Sequence, residues 1–274
     1  MRFDFVAPCY LGLKSAAAFD FKRMGAENIK ITDGRFAFSG DDQLLAKATL
    51  WSRCTERIMI LLKTFPANTF DELFDGVKDI RWADYIPRDG KFPVKGSSLS
   101  STLSSVPACQ SIVKKAVVTA LQQGHKVAFL PERGQEYRIR FSIRKNVAEI
   151  FLDTTGDGLH KRGYRRRAAL APLKETLSAA MADFGRVRRN SVVQDPFCGS
   201  GTLGIESAMK ALNIAPGLHR HFAAEHYAFV GQSVFDQARE EAKVEIKPDA
   251  AFDGYGFWLL YTTDADDGEA SGTL

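Results

Sequence analysis

The run Asp195-Pro196-Phe197-Cys198-Gly199-Ser200-Gly201-Thr202 constrains this chain more than any other stretch. It follows a short β-like run, Ser191-Val192-Val193-Gln194, and opens a helix-like run from Leu203 to Leu212. A strand, a glycine turn and a helix in that order make half of a nucleotide pocket. Gly199 and Gly201 carry no Cβ, so the main chain can bend sharply and approach a ligand closely. The amides that begin the next helix lack helical partners and favour a carboxylate or a phosphate. A P-loop would end in Gly-Lys-Ser/Thr, and Gly201-Thr202-Leu203 has no lysine.

With 274 residues, 45% of them hydrophobic and 26% charged, the chain reads as soluble globular protein of more than one domain. No apolar run approaches the ~20 residues of a membrane helix. Met1-Arg2-Phe3-Asp4-Phe5 does not open a signal peptide, so a cytoplasmic protein is expected. Cys9, Cys54, Cys109 and Cys198 are scattered without a Cys-x-x-Cys pair, which argues against zinc. Cys198 reads as a packing residue. His219, His221 and His226 have no acid or cysteine to complete a metal set and read as a solvated loop, and no metal is expected. The net charge of +4 is unevenly spread. Lys161, Arg162, Arg165, Arg166 and Arg167 crowd one segment, whereas six acids and no Lys or Arg follow Lys247. Such asymmetry fits either an anionic partner, RNA first, or a solvated charged linker.

Along the first half, Phe3–Ala7 reads as a strand, Gly12–Met24 as a helix closed by Gly25, Ile29–Thr32 and Arg35–Ser39 as a hairpin, Asp41–Ser52 as a helix and Arg57–Leu62 as a strand. This βαββαβ order suits a ferredoxin-like sandwich. Thr69–Val77 follows as a helix with a capping-box look at Thr69 and Glu72. Lys91–Gly96 reads as an edge strand because of Pro93. The serine-rich stretch from Ser97 to Ser105 is either a flexible linker or a set of phosphate-binding hydroxyls. Ile112, Val113, Ala116, Val117, Ala120 and Leu121 line one face of a helix that Gly124 closes, with Lys114 and Lys115 off that face. Tyr137–Arg144 alternates apolar and basic residues and pairs with Val147–Asp153.

The octapeptide around Gly199 resembles the first motif of S-adenosylmethionine (AdoMet) dependent methyltransferases acting on exocyclic amino groups of bases. Phe5–Leu13, Phe70–Leu73, Ser97–Leu103 and Ile112–Ala116 together resemble the ferredoxin-like plus THUMP module of RNA methyltransferases. Leu152–Arg165 is similar to that family's linker, and Ala171–Leu177 to its next motif, a helix lining the cofactor site. The bacterial 23S rRNA guanine-N2 methyltransferases are the nearest group. The resemblance implies an α/β chain with an α+β N-terminal half. It would have a ferredoxin-like domain at 1–64, a THUMP domain at 65–156 and a partial Rossmann-like class I methyltransferase domain at 157–274. It implies AdoMet as cofactor, held by Asp195, Pro196, Phe197, Gly199, Gly201, Thr202 and Glu175. Glu175 could equally serve the helix dipole alone. It implies RNA as partner, ribosomal RNA first and transfer RNA second, with Lys114, Lys115, Arg162, Arg165 and Arg166 as contacts. His160 reads as structural or RNA-facing.

Two family motifs are missing. Ala251–Phe257 looks like the approach to the second strand, but Trp258 follows where an acid should grip the ribose, with Asp264 and Asp266 as poor substitutes. The Asn/Asp-Pro-Pro-Tyr/Phe motif that holds the target amino group is absent. The expectation is therefore a truncated or frameshifted copy that transfers no methyl group by itself. A catalytically inactive RNA-binding protein is the alternative.

Overall fold

A computed structural model describes residues 2–10, 12–32, 34–164 and 173–256. Arg165, Arg166, Arg167, Ala171, Pro172, Phe257, Trp258, Asp264 and Asp266 lie outside the described residues. The first six elements are β1 (Arg2–Pro8), α1 (Lys14–Arg23), β2 (Glu27–Thr32), β3 (Arg35–Asp41), α2 (Asp42–Trp51) and β4 (Met59–Pro66). Their strands lie antiparallel in the order β2-β3-β1-β4, as a ferredoxin-like unit requires. Next come α3 (Phe70–Lys78), β5 (Val94–Leu99), α4 (Val106–His125), β6 (Ile139–Arg144) and β7 (Val147–Asp153).

The two units are not separate sheets. β4 pairs with β1 on one side and with β7 on the other, giving one seven-stranded sheet in the order β2-β3-β1-β4-β7-β6-β5. The expected domain division after residue 64 falls inside β4. β5 is an edge strand and pairs in parallel with β6. Ser97 and Ser98 belong to β5, so the serine-rich stretch is not a flexible linker. Within it Ser98 donates to the Leu103 carbonyl (2.5 Å) and Ser101 to that of Leu99 (3.0 Å), while Ser97, Ser100, Ser104 and Ser105 are exposed.

Alternation along each strand decides the two faces of the sheet. Phe5, Phe36, Phe38, Ile60, Ile139, Phe141, Ile150 and Leu152 point to one side and join a single core with α1 to α4. In α4 the buried stripe is Cys109, Val113, Ala116, Val117 and Leu121. Gly124 does not close this helix; it runs to His125, and Lys126 takes the left-handed cap with φ 54°. Thr69 caps α3 by accepting from the Glu72 amide at 3.2 Å, and the Glu72 carboxylate accepts from the Asn68 amide at 2.6 Å.

The C-terminal part holds α5 (Glu175–Phe184), β8 (Val192–Asp195), α6 (Thr202–Ala211), α7 (Gln232–Val244) and β9 (Asp253–Gly256). β8 and β9 pair in parallel, with α6 and α7 in the crossover between them. This part is docked on the large sheet. Tyr227 is fully buried, stacks on Tyr137 at 4.7 Å between ring centres, and donates its hydroxyl to the Asp153 carbonyl at 2.6 Å. The Gly217 amide donates to the Leu50 carbonyl at 2.8 Å, and a Cβ on Gly217 would lie 2.9 Å from the Leu50 Cα, so glycine is required there. No helix among the described residues is long and apolar enough to cross a membrane.

Leu45 on α2 is fully buried in the main core. Leu45→Ala is expected to cost about 2–5 kcal/mol, read as a lower urea midpoint with unchanged slope. Glu225, in the short 3-10 turn Ala223–His226, is buried. Burial pushes its carboxyl up, but hydrogen bonds from His221, Arg239, the Phe222 amide and Gln232 outweigh this and hold it below the usual glutamate range. A folded-state value below the unfolded one means stability that is present above the ordinary glutamate value and is lost as pH falls through the depressed one. Glu225→Gln is expected to flatten the acid limb of the stability profile in urea titrations, and an acid limb identical to that of the parent chain would refute this.

Candidate cofactor-binding site

The glycine turn sits at the carboxyl end of β8, where parallel α/β sheets bind ligands. Asp195 ends the strand, and its Oδ1 accepts from the Phe197 amide at 3.1 Å. That bond turns the chain out of the sheet. Gly199 (φ 50°) and Gly201 (φ 72°) both adopt the left-handed conformation. A Cβ on either would meet nothing within 4 Å, so the backbone angle, not crowding, selects glycine. Among the described residues, the space above the turn is open. The Gly201 amide closes the turn on the Cys198 carbonyl at 2.8 Å. The Gly199 and Ser200 amides have no hydrogen-bond partner among the described residues. Unused amides at a turn that leads straight into α6 are donors for a negatively charged ligand group.

The other expected cofactor residues are differently placed. Thr202 is buried as the first residue of α6. Phe197 is 83% exposed beside the turn. Glu175 is buried at the first position of α5. Cys198 packs against β9, where a Cβ on Gly256 would lie 2.9 Å from its Cβ, and burial, with Asp195 adding to it, pushes its thiol up. Gly204 lies three residues beyond Gly201, so the run also has the Gly-x-Gly-x-x-Gly spacing of a dinucleotide turn.

Behind the turn lies a polar knot that spacing did not reveal. Glu206, one turn into α6, is fully buried, and its Oε1 accepts from the Tyr164 hydroxyl at 3.0 Å and from Arg162 Nε at 3.4 Å. Burial raises the Glu206 carboxyl above its usual range, against the pull of Arg162. Arg162 also donates to the carbonyls of Leu159 (2.7 Å), Arg53 (2.6 Å) and Ser52 (3.2 Å). This corrects the expectation for Arg162. Its guanidinium is buried and spent on protein acceptors, so it does not face RNA. An acid on the buried face of α6 was the only sequence signal for this knot.

Lys114 is also engaged. Its Nζ lies 2.7 Å from Glu132 Oε2 and 3.4 Å from the centre of the Phe92 ring. Lys115 is exposed. His160 is structural: Nδ1 lies 3.2 Å from Glu56 Oε2, and Thr176 donates to the other Glu56 oxygen at 2.6 Å. No group of three or more metal-ligating side chains occurs among the described residues.

Comparison with known proteins gives matches along most of the chain. Residues 4–59 match the RlmL ferredoxin-like domain, 67–153 the THUMP domain and 162–265 the RMKL-like methyltransferase domain. YpsC of Bacillus subtilis (strain 168), provisionally named an RNA methyltransferase, is 42% identical over 244 residues, covering 88% of this chain and 63% of YpsC. The ribosomal RNA large subunit methyltransferase K/L of Magnetococcus marinus is 38% identical over 218 residues, covering 77% of this chain and 30% of that protein. The chain thus spans less than two thirds of the length of these relatives. A Listeria monocytogenes structure described as a predicted N6-adenine-specific DNA methylase superposes with a TM-score of 0.90 at 39% identity, covering 94% of this chain and 68% of that one. SMU.472, provisionally called a methyltransferase and solved as a complex with SAH, gives 0.89 at 38% identity, covering 94% and 68%. TrmN from Thermus thermophilus, at 15% identity and a TM-score of 0.60, shares the fold.

Gly201→Ala is expected to cost about 1–2 kcal/mol through its left-handed backbone alone. Gly201→Asn, which tolerates that region better, should cost less in the same denaturation experiment.

Proposed function

The chain belongs to the RMKL-like methyltransferases that carry an RlmL-type ferredoxin-like domain and a THUMP domain ahead of the methyltransferase domain, and we propose that it binds AdoMet at the glycine turn and serves methyl transfer to RNA. The observation that carries this reading is the turn itself, with two unused amides, two left-handed glycines and open space at the end of β8. The residues present fit the cofactor. The Gly199 and Ser200 amides and the start of α6 would receive its carboxylate, and Asp195 would hold the turn in shape. The bound cofactor supplies an activated methyl group on a sulfonium, ready for in-line displacement by an amino nitrogen. The chain contributes position: β8 fixes the turn, and α6 is held from behind by the Arg162–Glu206–Tyr164 knot. SAH in the SMU.472 complex supports the cofactor assignment. Phe197, exposed beside the turn, and Pro196, which stiffens it, complete the proposed cofactor set, with Thr202 and Glu175 supporting it from below.

The finer proposal is that the acceptor is the exocyclic N2 of a guanine in large-subunit ribosomal RNA, as the name of the Magnetococcus relative favours, with transfer RNA as the second candidate. Lys115 stays among the proposed RNA contacts because it is exposed. The reading as an RNA-binding protein without catalysis is not favoured, because the methyltransferase-domain match runs through the glycine turn.

Calorimetry with AdoMet tests the cofactor. Micromolar binding is expected, weakened at least tenfold by Asp195→Ala with circular dichroism unchanged; no heat from the parent chain at saturating AdoMet would sink the reading. Nucleoside mass spectrometry of ribosomal RNA from a strain lacking the gene tests the acceptor. Loss of one N2-methylguanosine, restored by the gene, is expected, whereas intact guanine methylation with a lost adenine mark in DNA would move the substrate to DNA.

A further inference from the structure

The outer face of the large sheet carries basic residues that the proposed cofactor site does not use. Ile139, Phe141 and Ile143 of β6 point into the core, so Arg138, Arg140 and Arg144 point the other way. Lys95 on β5 pairs in register with Arg140, which places the two side chains next to each other on this face. Arg57 reaches the same place from the chain ahead of β4. Its Nη1 lies 2.7 Å from the Oδ2 of Asp153, and Arg140 Nε donates to the same oxygen at 2.8 Å. Asp153 is fully buried beneath them. Arg138 is held by Glu136 and donates to the Gly156 carbonyl at 2.6 Å.

These side chains surround a pocket of 470 Å³ lined by Arg57, Lys95, Arg138, Arg140, Glu136 and Asp157, together with Pro93 and Ile139. With Asp153 counted, four cations face three carboxylates, an excess of one positive charge. More telling is the supply of donors. Lys95 Nζ, both Nη atoms of Arg140, Arg138 Nη2 and Arg57 Nη2 have no hydrogen-bond partner among the described residues. Burial, and then the neighbouring Arg140 and Arg138, pull the Arg57 guanidinium below the usual arginine range despite Asp153. That lowering comes chiefly from burial; it is the count of four cations against three carboxylates, with donors to spare, that leaves room for an anion. Guanidinium forks on neighbouring residues suit the oxygens of a phosphate. Among the described residues the lining has no aromatic ring, so they do not seat a base by stacking.

On the basis of the RNA methyltransferase reading above, we propose that this pocket seats a phosphodiester of the RNA substrate, with Lys95, Arg138 and Arg140 as donors and Arg57 as the charge behind them. The pocket lies beside residues 153–157, where the sheet hands the chain on to the C-terminal part. A phosphate fixed there sets the register of the strand without reading its sequence.

The test is RNA binding by the full chain over a range of salt concentrations, with a structured ribosomal RNA fragment. Lys95→Ala with Arg138→Ala leaves the Asp153 pairs intact and is expected to weaken binding about tenfold and to lower the salt slope by about 0.7, the loss of one single-strand phosphate contact. Arg140→Lys, which keeps the charge but not the fork, should weaken binding less than Arg140→Gln. Lys22→Ala on α1 serves as a remote-cation control and should change neither quantity. AdoMet calorimetry on each variant should match the parent chain. An unchanged slope in the double variant, with RNA still bound by the parent, would overturn this inference and leave the function standing. Absence of RNA binding by the parent would overturn the function itself. Tight uptake of inorganic phosphate, with RNA binding insensitive to the substitutions, would make the pocket a free-anion site and also overturn the inference.

Discussion

The arrangement depends on one buried guanidinium. Arg162 joins three parts of the chain that are distant in sequence: the Ser52–Arg53 bend after α2, the linker at Leu159, and Glu206 on the helix that leaves the glycine turn. In the low-dielectric interior such a charge is tolerated only where nearly every donor finds an acceptor. Removing one partner of a buried pair strands the other at a cost of about 3–5 kcal/mol. The pairing is therefore costly to break without being a large source of net stability. Arg53 extends the same junction, donating to the Ile214 carbonyl at 2.9 Å while burial lowers its own guanidinium below the usual range. The helix carrying the proposed cofactor turn is in this way referenced directly to the ferredoxin-like unit.

That unit and the THUMP unit act as one platform. Sharing β4 between them leaves no hinge in the sheet, and one core runs beneath both. The consequence is a sheet with unlike faces. One is covered by helices and aromatic side chains. The other carries a small apolar patch of Val6, Met59 and Phe151 and a row of arginines. Under the proposed function, the charged face would position the RNA and the cofactor turn would serve the base to be modified.

The parts legible in the sequence are those governed by local rules. The βαββαβ order, the edge character of β5, the α4 stripe and the β6 alternation all follow from periodicity and turn residues within one element. The glycine turn follows from contiguous residues whose backbone angles are set locally, and Gly199 and Gly201 adopt them. The serine stretch was ambiguous because its composition fits a linker. Pairing of Ser97 and Ser98 with Ser142 and Ile143 of β6, a non-local event, makes it a strand. Gly124 misled for the reverse reason: packing of α4 carries the helix past it.

Charge was the least legible property. In sequence, Arg162 looks like its neighbours in a basic cluster and Lys114 like Lys115, since composition records a charge but not its partner. Folding buries Arg162 against Glu206, pairs Lys114 with Glu132, and leaves Lys95, Arg138 and Arg140 with donors to spare. The sequence alone determined where the chain turns around glycine and which residues of each strand face inward, because backbone sterics and side-chain alternation act within a few residues. Only the tertiary structure decided which cations are spent and which remain available, because a buried charge must find its counter-ion wherever the fold brings one within reach.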